Sequence, residues 1–278
     1  MKIVESFDDL QKALGELKQP VGFVPTMGYL HDGHLSLVNQ AKMDCESVIV
    51  SIFANPTQFA PDEDLDNYPR DIDRDLNLLD EVGTDLVWIP TVNSMYPEDF
   101  QTWVDVEKVS KPLEGQFRPT HFRGVTTVVS KLFNAVHSEK AYFGQKDAQQ
   151  TVVIKQMVRD LNYPIEITIC PIIREPDGLA MSSRNIYLND QERKAALCLS
   201  RGLLAAGDTF QAGERDAEEL RDIVKDMVNN EPLAELQYIS CAHPETLEEL
   251  DGKIKTCLLS TAVFIGGTRL IDNVLLDN

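Results

Sequence analysis

Two histidines and two glycines stand close together in residues 25–34, between a segment that predicts a strand and one that predicts a helix. Residues 21–24 are apolar, as expected of a buried strand, and the apolar residues within 35–41 recur on one helix face. The junction of a strand with a helix N-terminus offers N–H groups and the positive end of the helix dipole to an anion. We therefore predict a phosphate site here, with His31 and His34 as donors to a reacting phosphorus.

Two other interpretations of the histidine pair are open. Loop histidines are commonly satisfied by their neighbours, although Gly28 and Gly33 would let an anion approach the backbone and so favour phosphate. Zinc would need a further ligand, and no two of the five cysteines lie close together in the sequence. The run from His31 to His34 also resembles the H-x-G-H signature of the nucleotidyltransferase superfamily, whose members break the α–β phosphate link of a nucleotide.

The composition is that of a folded protein, and it limits the class of partner. With 278 residues, 43% of them hydrophobic, the chain can form one large or two modest globular domains. No run approaches the ~20 apolar residues of a membrane span, and the N-terminus is acidic where a signal peptide would be basic and then apolar. This N-terminus and the scattered cysteines predict a cytoplasmic protein with reduced thiols. The net charge of -19 argues against a nucleic-acid partner, whose phosphates it would repel.

Strand and helix patterns alternate up to about residue 173. The alternation predicts an α/β fold, a Rossmann-like open parallel sheet with helices on both faces. The strands are predicted at 21–24, 47–53, 85–89, 141–143 and 165–170, and the helices at 71–82, 125–136 and 149–161.

The pattern then changes and indicates a second, smaller domain. Asn189 and Glu192 have the spacing of a capping box, and we expect the helix that it opens to run through Leu204. An acidic helix is predicted at 216–228, and strands are predicted at 236–240 and 258–265. We therefore predict a Rossmann-like domain at 1–185 that binds the substrates, and a smaller α+β domain at 186–278 that covers the site.

Polar motifs follow four of the predicted strands, at the edge where ligands of open parallel sheets bind. Each alone has a simpler explanation as a plain turn, a surface ion pair or a helix cap. Together they form a set of phosphate donors and amide groups that chance would not place at one edge. The motifs are 27–34, 54–59, 144–147 and 181–184, and six basic residues lie in or near them: Lys131, Lys146, Arg118, Arg123, Arg174 and Arg184.

These motifs, in this order, resemble the pantoate–β-alanine ligase family, the pantothenate synthetases, over most of the first 190 residues. They are Pro25-Thr26-Met27-Gly28 with His31-Asp32-Gly33-His34, Asn55-Pro56-Thr57-Gln58-Phe59, Tyr68-Pro69-Arg70, His121-Phe122-Arg123-Gly124-Val125, Phe143-Gly144-Gln145-Lys146-Asp147 with Gln149-Gln150, and Met181-Ser182-Ser183-Arg184-Asn185. The collection is highly specific. It varies mildly at Gln145, where the family also has glutamate, and at Ile173, where valine is usual.

The resemblance implies ATP-dependent condensation of (R)-pantoate with β-alanine through an enzyme-bound pantoyl adenylate, with release of AMP and pyrophosphate. No protein nucleophile is needed, because the pantoate carboxylate itself attacks the α-phosphorus and preorganised donors stabilise the developing charge. Ser182 and Ser183, without a triad around them, then act as hydroxyl ligands of phosphate. The resemblance further implies ATP as a substrate, Mg²⁺ as its counterion, and a homodimer.

The family pattern also assigns roles to individual residues. His34 is the favoured catalytic donor, and His31, Lys146 and Arg184 complete the catalytic set by contacting or neutralising phosphates. Gln58 and Gln150 would hold pantoate, because an amide offers a donor to carboxylate and an acceptor to hydroxyl. The implied ATP contacts are Met27, Gly28, Tyr29, Leu30, His31, Asp32, Gly33, His34, Gly144, Gln145, Lys146, Asp147, Ile173, Met181, Ser182, Ser183 and Arg184.

Some assignments stay open. No protein ligand of Mg²⁺ is named, because most of the acidic residues at 62–66 and 71–75 are expected to form a solvated loop and helix face. Another nucleotidyltransferase, such as a phosphopantetheine or nicotinamide mononucleotide adenylyltransferase, would share H-x-G-H but would not explain Gln58 and Gln150 together with 144–147. A non-catalytic nucleotide-binding protein is the other alternative, against which the intact catalytic set argues.

Overall fold

The computed structural model of the chain describes residues 1–61 and 63–277; Asp62, in the acidic run at 62–66, lies outside them. The chain forms two compact units, one of Met1–Gly144 with Val153–Pro171 and the other of Gln145–Val152 with the chain from Ile172 onward. The backbone therefore passes from one unit to the other three times. The predicted division after residue 185, into a domain that binds the substrates and one that covers the site, is defined by function, and it stays a prediction.

The first unit contains the parallel sheet that the sequence predicts. Its strands are β1 (Lys2–Val4), β2 (Val21–Thr26), β3 (Ser47–Ile52), β4 (Leu86–Trp88), β5 (Lys140–Gly144) and β6 (Glu166–Cys170). The helices of this part of the chain are α1 (Phe7–Leu14), α2 (Asp32–Asp44), α3 (Ile72–Glu81), α4 (Val92–Met95), α5 (Glu114–Phe117), α6 (His121–Val136) and α7 (Ala148–Asp160), the last of which begins in the second unit. The strand order is β1-β4-β3-β2-β5-β6, with all pairs parallel, which is a Rossmann-like arrangement.

The order of the strands reverses at β2, which pairs with β3 on one side and with β5 on the other. Ligands of open parallel sheets bind beyond the carboxyl ends of the strands at such a switch point. The segment 27–34 follows β2 directly, and a three-residue 3-10 turn, Gln145–Asp147, follows β5. Two of the four predicted motifs therefore leave the strands that flank the switch point.

The elements that flank residues 27–34 are held by a continuous apolar core. Every residue of β3 is buried, as is typical of a central parallel strand covered on both faces. Helix α2 buries Leu37, Val38 and Ala41 in the same cluster as Val24 and Val50 of the sheet. Each fully buried side chain of this kind stabilises the fold by roughly 1.5–3 kcal/mol. The strand before the segment and the helix after it are thus fixed by packing.

The second unit is α+β, as predicted. Its sheet is antiparallel in the order β7 (Ala234–Ala242), β8 (Cys257–Ile265) and β9 (Thr268–Leu276), and its helices are α8 (Asp190–Ala195), α9 (Leu197–Gln211) and α10 (Ala217–Asn229). Leu203, Phe210 and Val224 on the helices and Leu259 and Val263 on β8 share one buried cluster. This cluster packs the two long helices onto the sheet.

Several elements differ from the predictions. The capping box is present, since the Asn189 side chain accepts from the Glu192 N–H at 3.0 Å and the Glu192 carboxylate accepts from the Asn189 N–H at 3.0 Å. The helix it opens, however, ends at Ala195, and a second helix runs beyond Leu204 to Gln211. The sequence analysis also did not predict β1, α1 or β9. None of the described helices is long and apolar enough to cross a membrane.

Candidate active site

Residues 27–34 enter the helix earlier than the sequence indicates. Helix α2 begins at Asp32, with His31 in an extended conformation as its N-cap, so that Gly33 and His34 lie in the first helical turn rather than in the preceding loop. An acidic residue in the first turn favours this start because it complements the helix dipole. Both histidines are therefore placed at the helix N-terminus, the position that stabilises an anion.

The two imidazole rings lie side by side. Their centroids are 4.1 Å apart and their planes are inclined by 38°. The backbone N–H of His31 donates to Nδ1 of His34 at 3.4 Å, which favours the tautomer of His34 that carries its proton on Nε2. That tautomer gives His34 a ring N–H donor at the helix N-terminus.

Asp75 of α3 stabilises the turn between β2 and α2 through hydrogen bonds to its backbone. The carboxylate accepts from the backbone N–H of Tyr29 at 2.6 Å and from that of Leu30 at 2.7 Å. Gly28, with φ of +85°, and Tyr29, with φ of +51°, adopt the left-handed region, which costs free energy in any residue with a side chain. Burial raises the pKa of Asp75, although the two N–H donors and Arg74 oppose this effect. Asp75 is thus a buried support of the turn and an exception to the solvated face predicted for most of these acids, whereas Asp71 and Asp73 are exposed.

The motif after β3 forms a turn that presents Gln58. Asn55 is fully buried, and its Nδ2 donates to Oε1 of Gln58 at 3.0 Å and to the carbonyl of Gly124 at 3.2 Å. Its Oδ1 accepts from the Tyr96 hydroxyl at 2.9 Å. The Gln58 Nε2 lies 2.9 Å from the thioether sulfur of Met27. The structure therefore brings the segments at 27–34 and 54–59 together through two residues that the sequence analysis selected.

Helix α6 packs against this turn through a glycine. A Cβ atom on Gly124 would lie 2.6 Å from the carbonyl carbon of Thr57 and 2.7 Å from the backbone nitrogen of Gln58. Ordinary Cβ contacts are much longer, so no larger residue fits without moving the turn. The close approach also places the Gly124 carbonyl within reach of Asn55. Gly124 thus has a steric role in placing Gln58.

His121, at the start of α6, holds the same turn from the other side. Its Nδ1 donates to the carbonyl of Gln58 at 2.9 Å, and its Nε2 faces Nη1 of Arg118 at 3.4 Å. Arg118 is itself fixed by two bonds of 2.6 Å to the carboxylate of Glu63. Burial, and then the positive charge of Arg118, lower the pKa of His121 to about 4. The imidazole is therefore neutral at physiological pH, with its proton on Nδ1.

We expect the free energy of unfolding to fall as the pH is lowered from 6.5 to about 4. Unfolded His121 takes up a proton near its ordinary pKa of 6.5, whereas the folded protein resists protonation of this group until about pH 4. The favourable contribution is therefore complete above pH 6.5, and about 3 kcal/mol of it is lost across this window. Urea denaturation of the native protein and of His121→Gln at pH 7, 5.5 and 4 measures the effect. The stability difference between the two proteins should narrow by about 3 kcal/mol, and parallel pH curves would contradict the prediction.

Within the second unit, the turn after β5 carries Gln145, Lys146 and Asp147. The Lys146 ammonium lies 3.9 Å from a carboxylate oxygen of Asp147, a separation that leaves the cation able to bind another anion. Gln150 follows in the first turn of α7 and is half-buried. The turn and Gln150 are therefore consecutive parts of one segment, 145–152.

The remaining predicted residues lie on a narrow loop of the second unit. Ile173 and Met181 are joined by a backbone hydrogen bond of 3.0 Å, so the structure brings these two predicted nucleotide contacts together. Ser182 caps the following 3-10 turn, Ser183–Tyr187, because its hydroxyl accepts from the Arg184 N–H at 3.2 Å. The hydroxyl of Ser182 thus has a structural partner in addition to its predicted role toward phosphate.

A partly buried network of charged and polar side chains supports this loop. Asn185 donates from Nδ2 to Glu175 at 2.7 Å and to the carbonyl of Ala180 at 3.1 Å. Arg193 of α8 donates two hydrogen bonds, of 2.9 and 2.8 Å, to the Glu175 carboxylate. Hydrogen bonding to Arg193 lowers the pKa of Glu175 despite its partial burial. The capped helix α8 therefore helps to fix the loop that ends in 181–184.

The six basic residues near the motifs have different surroundings. Arg118 and Arg174 are bound by the carboxylates of Glu63 and Asp272, and so have structural partners. Two others lie over aromatic rings, Arg123 4.7 Å from the centroid of Trp103 and Lys131 4.9 Å from that of Phe100. Lys146, whose ammonium lies 3.9 Å from Asp147, and Arg184 are the two that the family pattern assigns to catalysis.

Sequence reasoning missed three residues whose side chains bond to segments of the candidate site. Asp75 lay in an acidic run that is typical of a solvated face, and His121 was recognised only as part of a motif. Asn273 lies on β9, which was not predicted. Within residues 1–61 and 63–277, no group of three or more histidine, cysteine, aspartate or glutamate side chains could hold a metal ion.

The comparisons with known proteins agree with this arrangement. The family model described as pantoate-beta-alanine ligase matches residues 2–275, almost the entire chain. The chain belongs to the pantoate-beta-alanine ligase family. It is therefore an enzyme of the ligase class.

Relatives within the pantoate-beta-alanine ligase family match over their full length. A pantothenate synthetase of Chloroflexus aurantiacus is 56% identical over 278 residues, covering 100% of this chain and 99% of the relative. The crystal structure of the enzyme from Thermus thermophilus superposes with a TM-score of 0.96 at 44% identity, with 100% of both chains covered. The ligase from Francisella tularensis, complexed with beta-gamma ATP and beta-alanine, gives a TM-score of 0.81 at 34% identity, with 99% of this chain and 97% of that chain covered.

Proposed function

We propose that this enzyme joins (R)-pantoate to β-alanine at the expense of ATP, through a pantoyl adenylate, and releases AMP and pyrophosphate. The observation that carries the proposal is the match to one ligase family over residues 2–275. The geometry agrees with it, because the paired histidines at the N-terminus of α2 suit a phosphate and the turn at 55–58 presents an amide side chain. The proposed setting is cytoplasmic, and the proposed assembly is a homodimer.

In the first half of the reaction, a carboxylate oxygen of pantoate attacks the α-phosphorus of ATP. A new phosphorus–oxygen bond forms, the bond to the β-phosphate bridging oxygen breaks, and pyrophosphate leaves. His34 would donate from Nε2 to an oxygen that gains charge, with His31 beside it, while Lys146 and Arg184 would neutralise the triphosphate. Mg²⁺ would enter as the counterion of ATP, held mainly by phosphate oxygens and water.

The nucleotide and the acid would be held by different sets of side chains. The proposed ATP contacts are the residues of 27–34, 144–147 and 181–184 together with Ile173. Pantoate would be held by Gln58 and Gln150, whose amides can donate to the carboxylate and accept from a hydroxyl. Gln58 is suited to this role because Asn55 and His121 fix both its side chain and its backbone.

In the second half, the neutral amine of β-alanine attacks the carbonyl carbon of the mixed anhydride. The carbon–nitrogen bond forms, the carbon–oxygen bond to AMP breaks, and the amine nitrogen loses a proton. Water would compete for the same carbonyl carbon, so the side chains around the adenylate must exclude it. Charge on the departing AMP is smaller than on pyrophosphate, and this half depends less on the cations that neutralise a triphosphate.

The activity is tested by incubating the protein with MgATP and (R)-pantoate, without and with β-alanine, and following pyrophosphate, AMP and pantothenate by mass spectrometry. We expect multiple turnovers only when both pantoate and β-alanine are present, with AMP and pantothenate formed in equal amounts. If neither mixture yields product, the proposal is wrong, and another nucleotidyltransferase or a non-catalytic nucleotide-binding protein is favoured.

Substitution of Gln150 by alanine is expected to raise KM for pantoate by roughly 10- to 100-fold, the effect of losing hydrogen bonds to a charged ligand. KM for ATP should stay close to that of the native enzyme. Gln156→Ala is a matched control, because Gln156 lies on the same helix and its amide bonds to the neighbouring residues Arg159 and Asp160. Equal weakening of both substrates by Gln150→Ala would show that this residue acts through folding.

A further inference from the structure

Two adjacent polar side chains lie almost fully buried on β9, the last strand of the second unit. Asp272 is 2% exposed and Asn273 is 3% exposed. Burying an amide or a carboxylate costs free energy unless hydrogen bonds compensate for the lost water. Both side chains find such partners within the second unit, and the partners lie on segments that the proposed function assigns to ATP.

Asn273 bonds to the turn that bears Lys146. Its Nδ2 donates to the carbonyl of Gln145 at 3.0 Å and to the carbonyl of Lys146 at 2.9 Å. Its Oδ1 accepts from Nε2 of Gln145 at 3.1 Å. One amide therefore binds two successive backbone carbonyls and one side chain of a three-residue turn. This fixes the direction in which the Lys146 side chain leaves the backbone.

Asp272 bonds to the neighbouring loop. Both carboxylate oxygens receive hydrogen bonds from Arg174, at 2.7 and 3.1 Å, in a bidentate pair. Arg174 also donates to the carbonyl of Gly178 at 3.1 Å, and it follows Ile173 directly in the chain. The backbone N–H of Asn273 donates to Asp272 at 2.8 Å, which couples the two side chains.

The strand can act as a rigid support. Asn273 pairs with Ser260 and Asp272 pairs with Thr261 in the antiparallel ladder of β8 and β9. β8 is buried along almost its whole length. The regular pairing of the turn's own strand, in contrast, ends at Gly144 and Cys170. The turn that follows β5 therefore gains from β9 a support that its own sheet does not provide.

We propose that Asn273 is a positioning residue of the ligase reaction, which holds Lys146 in the orientation needed to bind the triphosphate. The inference rests on the proposed function, since it takes the role of Lys146 from there. It gives β9 a direct part in adenylation. The effect should be confined to the first half-reaction, because the triphosphate is gone once pyrophosphate has left.

The test compares the two half-reactions in the native enzyme, Asn273→Asp and Asn273→Ser. Aspartate keeps the shape and the acceptor of asparagine but turns oxygen atoms toward two carbonyls, so it should displace the turn. Adenylation is measured as pyrophosphate release from MgATP and pantoate in a single turnover. Aminolysis is measured separately, with pantoyl adenylate supplied and β-alanine added.

We expect Asn273→Asp to slow adenylation by about 10- to 100-fold, a loss typical of a misplaced catalytic group, and to change aminolysis less than about threefold. Asn229→Asp introduces the same change at an exposed position of the second unit, at the end of α10, and should leave both rates unchanged. Circular dichroism and the thermal midpoint establish that each variant is folded at the assay temperature. If the aspartate variant does not fold, Asn273→Ser, which keeps one donor, provides the same comparison at smaller amplitude.

The outcomes distinguish this inference from the proposed function. If the native enzyme makes no pantothenate, the proposed function is wrong. If the native enzyme is active and folded Asn273 variants retain normal adenylation, the positioning role is wrong and the function stands. Equal loss in both half-reactions would likewise overturn the positioning role, because it would indicate a general structural defect.

Discussion

Replacing His34 with alanine is expected to lower kcat for adenylation by about 10²–10³, with little change in KM for ATP or pantoate. The reason is the position of the ring at the N-terminus of α2, where its Nδ1 accepts from the His31 N–H and the proton is therefore on Nε2. A donor that strengthens only as charge develops on the phosphate oxygens contributes to the transition state and not to ground-state binding. Single-turnover pyrophosphate release measures the effect.

Two further variants make this prediction sharper. His34→Gln keeps an N–H donor near the position of Nε2 and should recover part of the lost rate. His243→Asn, at an exposed histidine of the second unit, retains the acceptor that binds the N–H groups of Glu245 and Thr246 and should not change kcat. A near-normal kcat in His34→Ala would remove this residue from the catalytic set.

Gly124→Ala is expected to damage pantoate binding and stability together. The added methyl would lie within 2.7 Å of the Gln58 nitrogen and 2.6 Å of the Thr57 carbonyl carbon, so α6 and the turn at 55–58 must separate. Their separation would weaken the bond from Asn55 to the Gly124 carbonyl and release the side chain of Gln58. We expect KM for pantoate to rise at least about tenfold and the free energy of unfolding to fall by about 1–3 kcal/mol.

Gly207→Ala tests whether this effect arises from the close contact or from the substitution itself. Gly207 lies within α9, and a Cβ atom there would meet only Leu276, at 3.7 Å, which is an ordinary contact. Alanine in the interior of a helix stabilises the protein by roughly 0.5–1 kcal/mol relative to glycine. Urea denaturation should therefore show a lower free energy of unfolding for Gly124→Ala and a higher one for Gly207→Ala. In steady-state kinetics, an unchanged KM for pantoate in Gly124→Ala would contradict the steric argument.

The architecture of the first unit was predictable because its strands are short apolar runs in alternation with periodic helices. The positions of His31, His34, Gln58 and Lys146 after strand ends followed from the same pattern. The start of α2 did not follow, because the hydrophobic periodicity begins at Leu35 and gives no sign that the preceding polar residues are already helical. The cap at His31 depends on backbone geometry that no pattern of side chains displays.

The supporting residues were hidden for a different reason. Asp75 and Glu63 lie in acidic stretches, and composition alone cannot tell a carboxylate that binds backbone N–H groups or an arginine from one that faces water. β9 was missed because Asp272-Asn273 in the middle of a strand is a pair typical of turns. Its burial against Arg174 and the turn at 145–147 depends on partners about 100 residues or more away in the sequence. The candidate catalytic groups could thus be predicted from the sequence, whereas the side chains that hold the surrounding turns could not.

The bond between Asn273 and Lys146 also bears on the order in which the protein becomes active during synthesis. The two residues are 127 positions apart, so at 5–20 residues per second the partner of the turn is made about 6–25 s after the turn itself. Until β9 is complete, the nascent chain has the histidine pair and the lysine but lacks the strand that orients the lysine. A chain that ends before Asn273 would lack this bond and would use ATP inefficiently. Efficient adenylation would be acquired only after translation has passed Asn273.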